Sequence, residues 1–402
     1  MKSENVRNYL ITFICAVAAI LVAWGVSCIV SGGNTDKTIK VGLIYVGDSS
    51  DSYTSNFAKA QREIETKYAD NVETIAKYNV TEDSVEPALI ELINDGCGLI
   101  FTTSYGYGEK TKEIAAQYPD VQFCQATCNN ANNEPFLSNY HTFMGNIYQG
   151  RYISGVVAGM KLKELIDSGK IASDQAKIGY IGAFPYAEVI SGYTAFFLGV
   201  RSVVPEAVMT VKYTNTWGDY HLEKSYAEEL IKDGCVIISQ HSDTAGPAAA
   251  CEETDRACEV YYVSYNESMR DIAPTTYLTG SKINWTPYMT GAVEAVLSGK
   301  TIERYVEGKV NGNDVGSGFE NDWLQMLEIN EFVAVEGTEE KVNELINQFR
   351  NNQLQVFKGD YTGVNPYDPT DTIDLNEGYN ENETSSAPSF CYVLDDVITI
   401  SP

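Results

Sequence analysis

Basic residues are scarce in this chain: lysine and arginine total 28 against 55 aspartates and glutamates, a net charge of −27 over 402 residues. A nucleic-acid partner needs a basic face, so that class of function is excluded. Histidine is scarcer still, with three in the whole sequence. Cys124 and Cys128 with His141 therefore make a poor case for a structural zinc site, and no metal is expected. No low-complexity tract is present, nor a nucleophile elbow, phosphate loop or metal-ligand set. His241 stands beside Ser242 and Asp243, but triad members normally come from separate segments rather than from one loop. Catalysis and cofactors are therefore not expected, and the acid excess fits a soluble body held off an anionic surface.

One long hydrophobic run is present, at residues 9–30, and it carries no charge. Lys2 and Arg7 precede it, which is the pattern of an export signal or an N-terminal anchor. Gly25-Val26-Ser27-Cys28 closes the run, followed by Ser31-Gly32-Gly33-Asn34. A cysteine after small residues resembles the bacterial lipoprotein cleavage box, which makes Cys28 the expected lipidation site. Gly25 departs from the leucine-like residue usual there, and a run of this length also suits an uncleaved membrane-spanning helix. Either way, the residues from about 35 onward are expected outside the cytoplasm. Cys97, Cys124, Cys128, Cys235, Cys251, Cys258 and Cys391 remain, an odd number, and read mostly as small apolar core residues.

An internal repeat organises the rest. The segment Glu91 to Ile100 returns as Glu229 to Ile238, 138 residues later (229 − 91), and Lys40 to Ile44 returns as Lys177 to Ile181, 137 later (177 − 40). Each copy reads as alternating amphipathic helices and short apolar strands, the pattern of a parallel sheet covered on both faces. Residues 147–166 read as a helix with Gly150, Gly155, Ala158 and Gly159 on its packing surface. The expected fold is α/β, with two doubly wound Rossmann-like lobes and a central cleft. A leader and linker fill residues 1–34. Lobe 1 takes residues 35–146 and parts of 277–330, lobe 2 takes 147–276, and 331–402 have no assigned lobe. Ligands bind such sheets beyond the carboxyl ends of the strands, and two facing lobes close on the ligand about a hinge.

The strand-end loops are rich in rings and hydrogen-bonding groups. They contain Asp51, Tyr53 and Thr54; Ser104 and Tyr105; Phe184 and Glu188; Trp217; His241 and Asp243; Asn266; and, on a return segment, Trp285. Flat rings flanked by amides and carboxylates suit a planar ligand with polar edges. Tyr53 and Phe184 follow the equivalent first strands and are expected to hold a base between them. Plainer readings stand beside these: Trp217 as lobe core, Asp51 and Glu188 as acidic groups near helix starts, and Tyr53 and Tyr105 as ordinary surface tyrosines.

From Lys40 to beyond Trp285 the chain resembles the basic membrane protein family of substrate-binding lipoproteins. The resemblance rests on Gly179-Tyr180-Ile181-Gly182, Phe184-Pro185 with Glu188-Val189, Thr216-Trp217, Ser239-Gln240-His241-Ser242-Asp243, Asn284-Trp285 and the helix start Tyr148-Gln149-Gly150-Arg151-Tyr152. It implies a type I periplasmic-binding-protein fold and an ABC importer whose permease and ATPase are the partners. It further implies a purine base or nucleoside as ligand, membrane attachment through lipid, and no enzyme activity. Tyr53 stands where the most similar branch carries tryptophan, and the tail after about 330 resembles the family little. Sugars on the same fold, or a sensory receptor with a retained anchor, are the competing expectations.

Overall fold

The computed structural model describes residues 38–255 and 259–401. The expected leader, with Cys15 and Cys28, and Cys258 lie outside the described residues. Among the described residues no helix is long and apolar enough to cross a membrane.

The repeat is built as two sheets of the same topology. In the first, strands β1 (Ile39–Ile44), β2 (Val72–Lys77), β3 (Cys97–Thr102), β4 (Gln122–Ala126) and β5 (Tyr140–Gly145) lie in the order 2-1-3-4-5, all parallel. In the second, β6 (Lys177–Gly182), β7 (Val208–Tyr213), β8 (Ile237–His241), β9 (Tyr261–Tyr265) and β10 (Tyr277–Ile283) repeat that order. This is one of the two common doubly wound orders. Apart from β2 and β7, these strands are buried along nearly their whole length, which is why they read as apolar runs without alternation.

The helices α1 (Ser52–Lys67), α2 (Val85–Asn94) and α3 (Gly108–Gln117) connect strands of the first sheet. Helix α4 (Tyr148–Asp167) leaves β5 and packs on the second lobe against α5 (Ala187–Arg201). The close approach needs glycine: a Cβ on Gly155 would meet the Phe196 carbonyl at 1.9 Å, and one on Gly199 would meet that of Tyr152 at 2.2 Å. Helices α6 (Tyr220–Lys232) and α7 (Gly246–Glu253) complete the second copy.

The return segment is shared between the lobes. Strand β10 belongs to the second sheet, whereas α8 (Thr286–Leu297) crosses back to the first. There Tyr288 stacks on Phe143 at 3.8 Å, and Trp285 stacks on Phe57 at 4.3 Å. Strands β11 (Lys309–Asn311) and β12 (Asp314–Ser317) extend the first sheet beyond β5, and β13 (Leu324–Met326) pairs with β10. The chain thus crosses between lobes near residues 145–148, 283–286 and 318–323. These crossings bond to one another, Asn146 N to Ser317 O at 2.8 Å and Asn284 N to Trp323 O at 2.7 Å. After α9 (Thr338–Arg350), strands β14 (Thr362–Asn365), β15 (Asp368–Asp374) and β16 (Val393–Leu394) form a small antiparallel sheet, and β17 (Ile398–Ser401) pairs in parallel with β7.

Candidate functional site

The two sheets point the carboxyl ends of their strands at each other, and the backbone repeats there too. Left-handed residues follow equivalent strands: Asn79 after β2 and Asn215 after β7, Thr127 after β4 and Asn266 after β9. A positive φ is unusual for a β-branched threonine and marks a position where the surroundings hold the backbone in place.

The lobes meet in a closed arrangement. Ser52 Oγ donates to the Asp243 carbonyl at 3.1 Å, and Asn56 Nδ2 donates to the Asn266 carbonyl at 2.9 Å. Lys59 pairs with Glu267 at 2.8 Å, and Ser55 hydroxyl donates to the same carboxylate. Helix α1 of the first lobe is therefore clamped to the strand-end loops of the second.

Between the lobes lies a cavity of about 390 Å³ of atom-free space, its mouth and the solvent there included. The first lobe contributes Val46, Tyr53, Ser104, Tyr105 and Thr127, and the second Glu188, Trp217, His241, Asp243 and Tyr265. Tyr53 is fixed by donating its hydroxyl to the Thr103 carbonyl at 2.5 Å, with its ring edge-on to Phe57 and Trp285. On the opposite side Trp217 is backed by Phe184, ring centroids 5.3 Å apart. At the mouth Tyr105 meets Tyr186 of the other lobe at 5.8 Å.

The loop that carries His241 and Asp243 is fixed by buried polar groups. Gln240 Nε2 donates to the carbonyls of Ser242 and Thr244, each at 2.8 Å. Glu223 accepts from Ser242 Oγ at 2.7 Å, and Tyr262 hydroxyl donates to Gln240 Oε1 at 2.7 Å. Arg151, fully buried in α4, donates to the Gln240 carbonyl at 2.9 Å and to the Tyr180 hydroxyl. Its guanidinium lies 4.9 Å from the Tyr265 ring, whose other neighbour is His241 at 4.5 Å. Gly192 makes room for that imidazole, since a Cβ there would stand 2.9 Å from Nδ1.

The charge in the cavity has one sign. Glu188 and Asp243 line it, and among the described residues no lysine or arginine does. Burial raises Asp243 well above the ordinary carboxylate range, and the carboxylates of Asp51, Glu223 and Glu188 add to that. Burial lowers His241, partly offset by Glu188, whose Oε1 lies 3.5 Å from Nε2. The site thus offers acceptors, rings and a neutral imidazole. Among the described residues no cluster of metal-ligating side chains is present.

Of the twelve residues singled out in the sequence, Tyr53, Ser104, Tyr105, Glu188, Trp217, His241 and Asp243 line the cavity, and five stand outside its wall. Asp51 caps α1, accepting from Thr54 N at 2.7 Å, and Thr54 Oγ1 accepts from Gly47 N at 3.2 Å. Asn266 joins the lobes through its carbonyl, and Trp285 is core, stacked on Phe57. Phe184 stacks on Tyr186 at 5.0 Å, behind Trp217. The expected Tyr53–Phe184 pair does not face across the cleft because the two are out of register: an offset of 137 equates Tyr53 with Ile190 and Phe184 with Gly47. Val46, Thr127 and Arg151 were not anticipated as site residues, and Tyr265 reads in the sequence only as the end of a strand facing the cleft. Arg151 had a legible signal, a lone arginine among the small packing residues of a helix.

Residues 38–349 match the family described as ABC transporter substrate-binding protein, PnrA-like. The chain belongs to that family. It is an extracytoplasmic substrate-binding subunit of an ABC transporter and not an enzyme. Among its relatives, a purine-binding protein of Brucella abortus is 34% identical over 268 residues, 66% of this chain and 71% of that protein. A putative ABC transporter glucose-binding protein of Haloferax volcanii is 27% identical over 82% of this chain and 76% of its own length. The fold of this PnrA-like protein matches a solute-binding protein from Conexibacter woesei, with TM-score 0.59 and 18% identity, covering 79% of this chain and 98% of that one. A protein of Bacillus halodurans titled as a transcriptional activator of the comK gene matches at TM-score 0.60, with 18% identity over 78% of this chain and 99% of that one.

Proposed function

We propose that the inter-lobe cavity binds a purine base or purine nucleoside for import, and that the protein is tethered to the outer face of the membrane through lipid on Cys28. The observation that carries the ligand reading is the pairing of aromatic walls from both lobes with acceptor carboxyls and, among the described residues, no lysine or arginine. Rings favour a planar ligand, and Glu188 and Asp243 favour one whose edge donates, through exocyclic amine, ring N–H or ribose hydroxyl. The same carboxyls oppose phosphate, so nucleotides and other anions are poor candidates. The 34% identity to a protein described as purine-binding supports this assignment.

Calorimetry with adenosine, guanosine, inosine, adenine and hypoxanthine, beside adenosine monophosphate, ribose and glucose, tests it. The expected order is nucleosides or bases bound and the monophosphate rejected. Binding of ribose or glucose with no purine bound would replace it with a sugar reading, which the 27% identity to a putative glucose-binding protein favours.

A further inference from the structure

The match to the family ends at residue 349, and the segment beyond it reaches a loop beside the binding cleft. Strand β17 anchors this extension to the second lobe beside β7. The β14–β15 hairpin then projects along that lobe with a tip tied by its own hydrogen bonds. Pro366 restricts its own φ, Asn365 Oδ1 accepts from Tyr367 N at 2.9 Å, and Asn365 Nδ2 donates to Asp371 at 2.9 Å. From this tip the Tyr367 hydroxyl donates to the Pro185 carbonyl at 2.8 Å. Pro185 lies between Phe184, which backs Trp217, and Tyr186, which meets Tyr105 of the first lobe at the mouth. Tyr186 is 42% exposed and stacks on Phe184 at 5.0 Å, so the Tyr367 bond adds to a ring contact at the surface.

We propose that this C-terminal hairpin is a lip of the binding cleft, in which Tyr367 is a positioning residue that holds the 184–187 loop so that Tyr186 closes against Tyr105. Ligand leaves a closed receptor past that contact, so the hairpin acts on the rate of escape. Loss of one net hydrogen bond at the lip corresponds to roughly a two- to tenfold change in rate, and it falls mainly on dissociation.

The test uses the full mature protein, with adenosine as the probe, and so rests in part on the purine reading. Adenosine dissociation is followed by stopped flow for the wild type, Tyr367→Phe, Tyr186→Ala and the double variant. Hydrogen exchange of residues 186–190 is measured separately without ligand. Tyr367→Phe should release adenosine roughly two- to tenfold faster at unchanged thermal midpoint, and the double variant should be no faster than Tyr186→Ala alone. Exchange at 186–190 should rise in Tyr367→Phe. Unchanged release with unchanged exchange, or additive effects in the double variant, overturns the proposal. If the wild type does not bind adenosine, the purine reading fails by itself. The exchange measurement then decides the lip, faster exchange supporting it and unchanged exchange overturning it.

Discussion

Replacing Asp243 by asparagine separates two roles of that side chain, closing the empty cleft and holding the ligand. In the closed form burial and three neighbouring carboxylates raise its pKa well above the ordinary range. In an open form the same carboxyl faces water and titrates near its usual value. Between those two values the closed form holds one more proton than the open form. Closure of the empty protein therefore strengthens as pH falls and weakens as pH rises through that window. The closed-to-open ratio changes by up to about tenfold per pH unit, since one unit is worth about 1.4 kcal/mol. His241 acts in the opposite sense: its pKa is lowered on burial, so below about 6.5 the open form takes the extra proton and is favoured. Asp243→Asn needs no proton to be buried. The empty variant should thus be more closed than the wild type at pH 7.5, with a smaller radius of gyration in solution scattering. It should lose the strengthening of closure on acidification and keep the opening due to His241. With a purine the sign reverses, because a donor bond to a carboxylate is worth about 1.5–3 kcal/mol. The variant should then bind roughly tenfold to a hundredfold more weakly. Scattering of the empty variant that matches the wild type at both pH 5 and pH 7.5 would refute the reasoning.

Trp217→Ala should weaken purine binding by about tenfold to a hundredfold, the value of one base stacked on one ring. Phe184→Ala, which removes only the backing of Trp217, should cost clearly less in the same titrations, and equal losses would mean that Phe184 itself touches the ligand. Arg151→Ala leaves the Gln240 carbonyl without its guanidinium donor and opens a void beneath Tyr265. Urea denaturation should show a loss of about 3 kcal/mol or more, and Arg151→Met should restore only the part due to volume. Cys28→Ser should abolish incorporation of labelled fatty acid and release or misprocess the protein, whereas full membrane retention with no lipid signal in the wild type would favour a retained helix.

The repeat made the fold legible because a doubly wound lobe announces itself twice. Gly96 and Gly234 end equivalent helices with positive φ, and the apolar strands that follow them, β3 and β8, have the same place in their sheets. Locating strand ends then located the loops, and residues with polar or aromatic side chains in those loops could be read directly. What sequence does not display is direction. Tyr265 reads as the end of a strand, in Tyr265-Asn266-Glu267-Ser268, but that its ring turns to His241 is not displayed. Thr127 has no distinguishing side chain, and its left-handed backbone is imposed by the fold. The end of the chain was opaque for a different reason. Residues 362–374 alternate short strand pairs with turns and lie largely exposed, so the hydrophobic pattern that marks an element is weak there. Their place is set by contacts far along the chain, Tyr367 with Pro185 and β17 with β7. The part of the receptor that sequence describes least well is therefore held by partners far along the chain, and it reaches the edge of the site that sequence describes best.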